Sequence, residues 1–164
     1  MHPCPCGFWG DMKRGCTCTP HQAQRYRNRI SGPILDRIDL HIEVPRIELE
    51  ELVQEKQGEP SAEIRKRVME ARELQMARFK NERINKNSDM DSNQIKKYCR
   101  LNKESRSLLY NIFQKLNLSM RSFDRLLKVA RTIADLEASE EIKAEHVAEA
   151  VQYRLLDRPL TIEV

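Results

Sequence analysis

Only one stretch of the chain has the alternating pattern of a β-strand, and this limits what the remainder can fold into. Apolar and polar residues alternate through "IDLHIEV", from Ile38 to Val44, and Pro45 ends the run. A single strand leaves its backbone N–H and C=O groups without partners. We therefore expect the neighbouring strands to lie in a part of the protein outside this sequence, and the rest of the chain to be mainly α-helical.

Helical periodicity dominates from residue 61 onward, because apolar residues recur there at intervals of three and four. The predicted helices extend from Ser61, as the N-cap, to about Arg83, from Gln94 to Cys99, from Lys103 to Leu116, from Ser119, again as the N-cap, to Leu136, and from about Lys143 onward. One face of the first helix is expected to carry Ile64, Val68, Ala71 and Phe79, and the last helix is expected to bury Val147, Ala148 and Val151. These helices predict a compact C-terminal bundle.

The composition favours a helix-rich protein with modest cores, since 33% of the 164 residues are charged and 5% are aromatic. No apolar run approaches the ~20 residues that cross a bilayer, and no signal peptide precedes the polar start. We therefore predict a cytoplasmic protein with no membrane partner. The formal net charge of +4 permits contact with phosphate but does not require it.

Four of the five cysteines form two Cys-x-Cys pairs near the N-terminus, at Cys4, Cys6, Cys16 and Cys18. In a reducing compartment closely spaced thiols are typical of metal ligands, and zinc takes four thiolates in a tetrahedron. The gap of one residue within each pair is shorter than the usual spacing of zinc ligands, so free or oxidised thiols remain the alternative. Cys99 stands alone in a predicted helix and is expected to be a small core residue.

Several arginines are candidates for binding anions. The basic run of Arg25, Arg27 and Arg29 either contacts nucleic-acid phosphate or forms a solvated helix face. Arg37 precedes the predicted strand, and the pattern alone favours an exposed residue paired with a neighbouring aspartate. Arg121 falls in the first turn of a predicted helix, where the helix dipole disfavours a cation, so an anion supplied from elsewhere would explain it better.

Five segments resemble a known family. "HPCPCG", "CTC" and "RYRNRISGPILDRIDLHIEVP" are followed by "LSMRSFDRLLKVARTIADLE" and "EHVAEAVQYRLLDR", and together they resemble the C-terminal portion of the ComM/YifB-type magnesium-chelatase-like AAA+ ATPases. The resemblance covers nearly the whole chain. It implies a full-length protein in which a Lon-protease-like domain precedes an AAA+ module. Such proteins are similar to hexameric, ATP-driven DNA-branch-migration helicases.

The resemblance also implies roles for individual residues. Arg37, in "ILDRID", matches the arginine finger that reaches the ATP of the neighbouring subunit, where its charge would stabilise phosphoryl transfer. Arg121 matches the sensor 2 arginine of the lid, which contacts the nucleotide of its own subunit. Arg125 is the alternative, one turn further along the helix. His2 stands where the family has the sensor 1 asparagine, so no sensor 1 residue is assigned.

On this resemblance the chain divides into the end of the AAA+ core with the Cys-rich loop and the last core strand (1–45), a linker (46–60), a helical lid domain (61–158) and a tail (159–164). The sequence contains no Gly-x-x-x-x-Gly-Lys-Ser/Thr loop and no acidic Walker B strand. ATP and Mg²⁺ are therefore expected to bind in the full-length protein, and this chain is not expected to be catalytic alone.

A cysteine loop braced by zinc would present Lys13 and Arg14 to DNA. The expected partners are the remainder of the AAA+ module, neighbouring subunits of a hexameric ring, and DNA. The alternative function is a zinc-stabilised helical nucleic-acid-binding module, which predicts salt-dependent DNA binding by this chain alone. A third hypothesis, a helical interaction domain that docks a partner through residues 61–83, leaves "ISGPILDRID" unexplained.

Overall fold

The computed structural model describes residues 2–11, 13–42, 44, 58–116 and 118–154. Within these residues the helices are α1 (Pro20–Arg27), α2 (Gly32–Leu35), α3 (Ser61–Arg78), α4 (Ser92–Tyr98), α5 (Lys103–Leu116), α6 (Met120–Leu136) and α7 (Ala144–Gln152), with a 3-10 turn at Asn87–Asp89. The prediction of a mainly α-helical chain is confirmed. No helix in this described portion is long and apolar enough to cross a membrane.

The predicted strand does not become part of a sheet in the described part of the chain. His41 forms a single parallel bridge with Arg154, and its N–H donates to the Tyr153 carbonyl at 2.7 Å. Ile42 and Val44 are 68% and 81% exposed. Among the described residues no neighbouring strand continues the hydrogen bonds beyond this bridge, so the alternating segment does not form a β-strand. Of the predicted linker (46–60), residues 46–57 lie outside the described residues, as does the tail from 159 to 164.

Helix α6 lies at the centre of the C-terminal bundle, where it packs against α3, α4 and α7, while α5 packs against α7. The apolar residues of its buried face are Leu126, Leu127, Ala130, Ile133 and Ala134. The predicted bounds of α5 and α6 are confirmed. Ser119 caps α6 because its Oγ accepts a hydrogen bond from the Ser122 N–H at 3.1 Å.

Two smaller predictions about the core have different outcomes. Cys99 is buried in the hydrophobic cluster, as predicted. In α7, Val147 and Val151 are buried as predicted, but Ala148 is exposed and Ala150 is buried in its place. Residues three and four positions apart share a helix face, so Ala150 faces the core together with Val147 and Val151.

Helix α3 differs most from its prediction. Pro60 rather than Ser61 is its N-cap, and it ends at Arg78, five residues before the predicted end. Every residue from 61 to 70 is exposed, including Ile64 and Val68, whereas Ala71 and Phe79 are buried. The predicted apolar face therefore contacts the bundle only along the last turns of the helix.

A buried polar network fastens the end of α3 to α6. The carboxylate of Asp135, whose side chain is fully buried, accepts hydrogen bonds from Arg78 at 2.8 Å, from Arg131 Nε at 3.1 Å and from Asn87 Nδ2 at 2.8 Å. Asn87 also donates to the Thr132 hydroxyl at 3.1 Å. The network satisfies charged groups that would otherwise be expensive to bury.

Candidate functional site

The four N-terminal cysteines converge on one point. The Sγ–Sγ distances are 3.4 Å between Cys4 and Cys6, 3.6 Å between Cys4 and Cys16, and 3.5 Å between Cys6 and Cys16. All four sulfur atoms, including that of Cys18, lie within 4.8 Å of one another. Cys4 is fully buried and all four are free thiols. The structure therefore brings together the complete set of ligands that the sequence predicted.

Local turns bring the two cysteine pairs together. The Gly7 N–H donates to the Cys4 carbonyl at 3.1 Å, and Gly7 and Gly10 have φ angles of +85° and +83°. Glycine adopts this left-handed conformation without the steric cost of a Cβ atom. The Asp11 carboxylate then accepts hydrogen bonds from the backbone N–H groups of Lys13 and Arg14 at 2.8 and 3.0 Å. These turns reverse the chain so that the second pair of cysteines meets the first.

The thiols of the cluster differ in acidity. Hydrogen bonds from the backbone at Phe8 and Thr17 lower the pKa of Cys6 to about 5. Burial raises the pKa of Cys16 to about 12. Within the cluster the surroundings therefore favour the thiolate form of Cys6 and the neutral thiol of Cys16.

The basic run lies on and just after α1, so the solvated helix face is the part of its prediction that the structure bears out, although the bounds of this helix were not predicted. Thr19 and Gln22 form a capping box: the Thr19 Oγ1 accepts from the Gln22 N–H at 3.2 Å, and the Gln22 Oε1 accepts from the Thr19 N–H at 2.8 Å. The Thr-Pro-x-Gln sequence was a signal for this helix start. Arg25 and Arg27 occupy the last turn, where the helix dipole favours a cation.

The side chains proposed for nucleic-acid contact are mostly accessible. Lys13, Arg14, Arg25 and Arg29 are exposed, and Arg27 is half-buried. Two of the guanidinium groups lie over aromatic rings, Arg14 at 5.2 Å from the centre of Phe8 and Arg29 at 5.3 Å from the centre of Tyr26. Basic groups interleaved with aromatic rings are typical of surfaces that bind single-stranded nucleic acid.

The Arg37 segment is fastened to the start of α6 by its neighbour Asp36. The Asp36 carboxylate accepts hydrogen bonds from the Ser119 and Ser122 hydroxyl groups at 3.2 and 2.8 Å. Arg37 itself is exposed, and its Nη1 donates to the Pro33 carbonyl at 3.2 Å. The residue predicted as the arginine finger therefore has a held backbone and an accessible side chain.

A buried arginine that sequence reasoning missed holds the same segment from the other side. Arg154 is 1% exposed and donates to the Ile38 carbonyl at 2.6 Å and to the Ser122 hydroxyl at 3.1 Å. It also lies 3.8 Å from the Asp36 carboxylate. Arginine is normally exposed, so no sequence pattern pointed to a buried role at the end of the bundle.

The two candidate sensor arginines of α6 have different surroundings. Arg121 is exposed in the first turn. Arg125 forms an ion pair with Asp39 and donates to the Arg37 carbonyl at 2.8 Å. Arg125 thus contributes to holding the Arg37 segment, whereas the side chain of Arg121 is exposed to solvent.

A second group of potential metal ligands, Glu137, Glu145 and His146, lies at the start of α7. The Nδ1 of the buried His146 accepts a hydrogen bond from the Lys143 N–H at 3.0 Å, and its Nε2 lies 2.8 Å from a Glu137 oxygen. Because Nδ1 is an acceptor, the ring proton sits on Nε2 and points at Glu137. A metal would have to displace this proton, so His146 is best described as a hydrogen-bonded structural histidine.

Two family profiles match the chain and together cover most of it. Residues 58–154 match the family described as magnesium chelatase, subunit ChlI C-terminal. Residues 1–52 match the family described as magnesium chelatase, subunit ChlI. The helical bundle belongs to the first match, and the cysteine cluster and the Arg37 segment belong to the second.

Curated relatives match over nearly the whole chain. The uncharacterized protein YifB of Escherichia coli is 46% identical over 166 residues, and that of Salmonella typhimurium is 44% identical over 162 residues; each match covers 98% of this chain. The competence protein ComM of Haemophilus influenzae is 42% identical over 163 residues, again 98% of this chain. The chain spans 30% to 31% of the length of these relatives.

Proposed function

The chain belongs to the magnesium chelatase, subunit ChlI C-terminal family, and we propose that it completes the ATPase core and supplies the helical lid of an oligomeric, ATP-driven motor that remodels DNA. The observation that carries the proposal is the junction between Asp36 and the start of α6, which places an exposed Arg37 beside the helix that bears an exposed Arg121. The name of the relative ComM, a competence protein, supports a role in DNA handling. A cytoplasmic location is part of the proposal.

Arg37 is proposed as the arginine finger that acts on the nucleotide of a neighbouring subunit. Such a residue stabilises charge on the phosphoryl group only if its position is fixed before the reaction. The carbonyl groups of Arg37 and Ile38 accept hydrogen bonds from Arg125 and Arg154, and the Asp36 side chain binds two serines of the lid. This arrangement supports a fixed backbone with an exposed guanidinium group, which would exchange its hydrogen bond to the Pro33 carbonyl for phosphate.

Arg121 is proposed as the sensor 2 residue, and Arg125 as a residue that positions Arg37. A sensor must exchange its partner for nucleotide phosphate, and Arg121 is accessible for that purpose. Releasing Arg125 would break its ion pair with Asp39 and its bond to the Arg37 carbonyl. ATP and Mg²⁺ would be held mainly by the Walker A and Walker B residues of the full-length protein.

DNA contact is proposed for the surface around the cysteine cluster. The first 30 residues contain five Lys and Arg residues against one acidic residue, Asp11, which gives +4, equal to the formal net charge of the whole chain. Residues 31–164 are therefore formally neutral. A concentration of positive charge in so short a segment favours attraction of a phosphate backbone. The same observation supports the second candidate, a nucleic-acid-binding module that acts alone.

The proposal is tested in the full-length protein by replacing Arg37 with Ala and measuring ATP hydrolysis and ATP binding separately. Hydrolysis is expected to fall by about 10³-fold, the usual contribution of an arginine finger, with ATP binding retained. Arg100→Ala, at an exposed arginine between α4 and α5, is the control and should hydrolyse ATP normally.

Mixed rings distinguish action on a neighbour from action within one subunit. Subunits carrying Arg37→Ala and subunits with an inactivated Walker A lysine are each expected to be inactive alone. Mixing them should restore hydrolysis at interfaces where one subunit supplies ATP and the other supplies Arg37. Normal turnover by Arg37→Ala, or no recovery in the mixture, would contradict the proposed role.

A further inference from the structure

We propose that Cys4, Cys6, Cys16 and Cys18 bind one zinc ion as a tetrathiolate site. The inference concerns the described residues before α1 and goes beyond the proposed ATPase role. It stands even if Arg37 and Arg121 have no part in nucleotide chemistry.

The separations of the sulfur atoms fit a single tetrahedral ion. With zinc–sulfur bonds of ~2.3 Å, the edges of a regular tetrahedron are about 3.8 Å long. The three measured separations among Cys4, Cys6 and Cys16 are 3.4, 3.5 and 3.6 Å, and the Cys18 sulfur completes a set that spans no more than 4.8 Å. Small shifts of the side chains would therefore close a tetrahedron around one ion.

A backbone N–H group already donates a hydrogen bond to one of the sulfur atoms, as occurs in tetrathiolate sites. The Cys18 N–H donates to the Cys16 sulfur at 3.4 Å. Such bonds stabilise thiolates and orient them toward a metal. A disulfide would select one pair of sulfurs, whereas here three sulfur atoms are mutually in contact.

Apart from its local turns, the described part of this segment has no apolar core to stabilise it. Among the described residues from 2 to 19, Cys4 alone is buried, and Phe8 and Trp9 are only partly covered. A loop without an apolar core does not offset the entropy lost on ordering it. A metal that crosslinks four side chains supplies that stabilisation, and zinc suits an all-sulfur, tetrahedral, redox-silent structural site.

The first test is the metal content of the purified 164-residue chain, measured by elemental mass spectrometry after gel filtration. We expect one zinc per chain. Cys4→Ser and Cys16→Ser should each lower the zinc content at least tenfold. Cys99→Ala is the matched control, because the fifth cysteine lies in the helical core, and it should retain one zinc.

The second test does not depend on variants that fold poorly, because it uses the wild-type chain and its single tryptophan. Trp9 lies in the loop between the two cysteine pairs. Removing zinc with a chelator should change the fluorescence of Trp9 and leave the helical circular dichroism of the bundle intact, and adding zinc back should reverse the change. Co²⁺ in place of zinc should give the absorption of a tetrahedral thiolate complex.

Three outcomes would overturn the inference. They are a reduced chain that binds neither zinc nor Co²⁺, a Cys4→Ser variant that keeps its zinc, and a site that is purified with iron in place of zinc. A full-length protein that binds one zinc but does not hydrolyse ATP would contradict the proposed function and leave this inference intact. A full-length protein that hydrolyses ATP normally but binds no zinc would contradict this inference and leave the proposed function intact.

Discussion

The buried Asp135 makes a quantitative prediction about the stability of the bundle. Its carboxylate neutralises Arg131, whose side chain is 3% exposed, and also binds Arg78, whose side chain is 18% exposed. Burial lowers the pKa of Arg131, which shows that its charge is held in a poorly solvated place. Replacing Asp135 with Asn keeps the shape and removes the negative charge.

The expected loss is about 3 to 5 kcal/mol, the usual effect of removing one partner of a buried ion pair. Arg78 can turn its charge toward solvent, so Arg131 carries most of the effect. Arg131 keeps its hydrogen bonds to the carbonyl groups of Glu140 and Ser139, at 2.8 and 2.5 Å. These bonds satisfy its donors but supply no opposite charge. Such a loss is a large part of the ~5 to 15 kcal/mol that stabilises a typical domain.

The assay is urea unfolding of the chain followed by circular dichroism. With a slope of about 1.5 kcal/mol per molar, a loss of 3 kcal/mol lowers the midpoint by about 2 M. The control is Glu59→Gln, which removes the partner of Arg67 in an exposed pair with an N–O distance of 2.8 Å. Exposed pairs contribute at most about 1 kcal/mol, so the control midpoint should barely move.

Two results would refute this reasoning. One is a loss below about 1 kcal/mol for Asp135→Asn. The other comes from the double variant Asp135→Asn/Arg131→Met. If the uncompensated guanidinium group is the source of the loss, removing it should recover part of the stability, so the two single effects should not add. Full additivity would show that the charge of Arg131 is not what Asp135 neutralises.

Three further predictions address pH, nucleotide sensing and DNA. Hydrogen bonds from Tyr98, which has the largest effect, and from Lys97 and Gln94 lower the pKa of Glu82 from 4.5 to about 2. Its carboxylate therefore stabilises the fold above pH 4.5, and this contribution disappears as the pH falls toward 2; Glu82→Gln should flatten that part of a stability–pH curve, and an unchanged curve would contradict the assignment. Arg121→Ala in the full-length protein should weaken ATP-dependent activity without lowering the melting temperature, whereas Arg125→Ala should lower the melting temperature of the chain by a few degrees; the reverse pattern would exchange their roles. Arg14→Ala should reduce the slope of log affinity against log salt for duplex DNA by about 0.9, and an unchanged slope would exclude a phosphate contact.

The helices of the bundle were predictable because their signals are local. Helix α6 begins after the capping Ser119 and carries apolar residues at intervals of three and four, and both features survive in the structure. A helix face at Arg25 to Arg29 was one of two alternatives, but the start of α1 was not predicted although the Thr19–Gln22 capping box is a local signal for it. The strand pattern from Ile38 to Val44 was read correctly as alternation, but alternation becomes a strand only when a neighbouring strand is present.

The polar contacts of the site required the tertiary structure. Asp36, Ser122 and Arg154 are far apart in sequence and meet only when the bundle forms. The spacing of Arg131 and Asp135 is visible in the sequence, because residues four apart share a helix face and these two fall on the apolar face of α6. Charged residues on an apolar helix face indicate either a functional site or an internal ion pair, and the sequence alone does not distinguish the two.

The two halves of helix α3 differ in local stability, because only the second half packs against the bundle. Residues 61–70 extend for about 15 Å and gain nothing from packing, so their backbone hydrogen bonds depend on helix propensity and on charges such as Glu63 in the first turn. A helical segment of this length is marginal in water by itself. Amide protons before Ala71 should therefore exchange with solvent by local fraying of the helix. Those from Ala71 to Arg78 should exchange only when the Arg78–Asp135 ion pair breaks and the bundle unfolds.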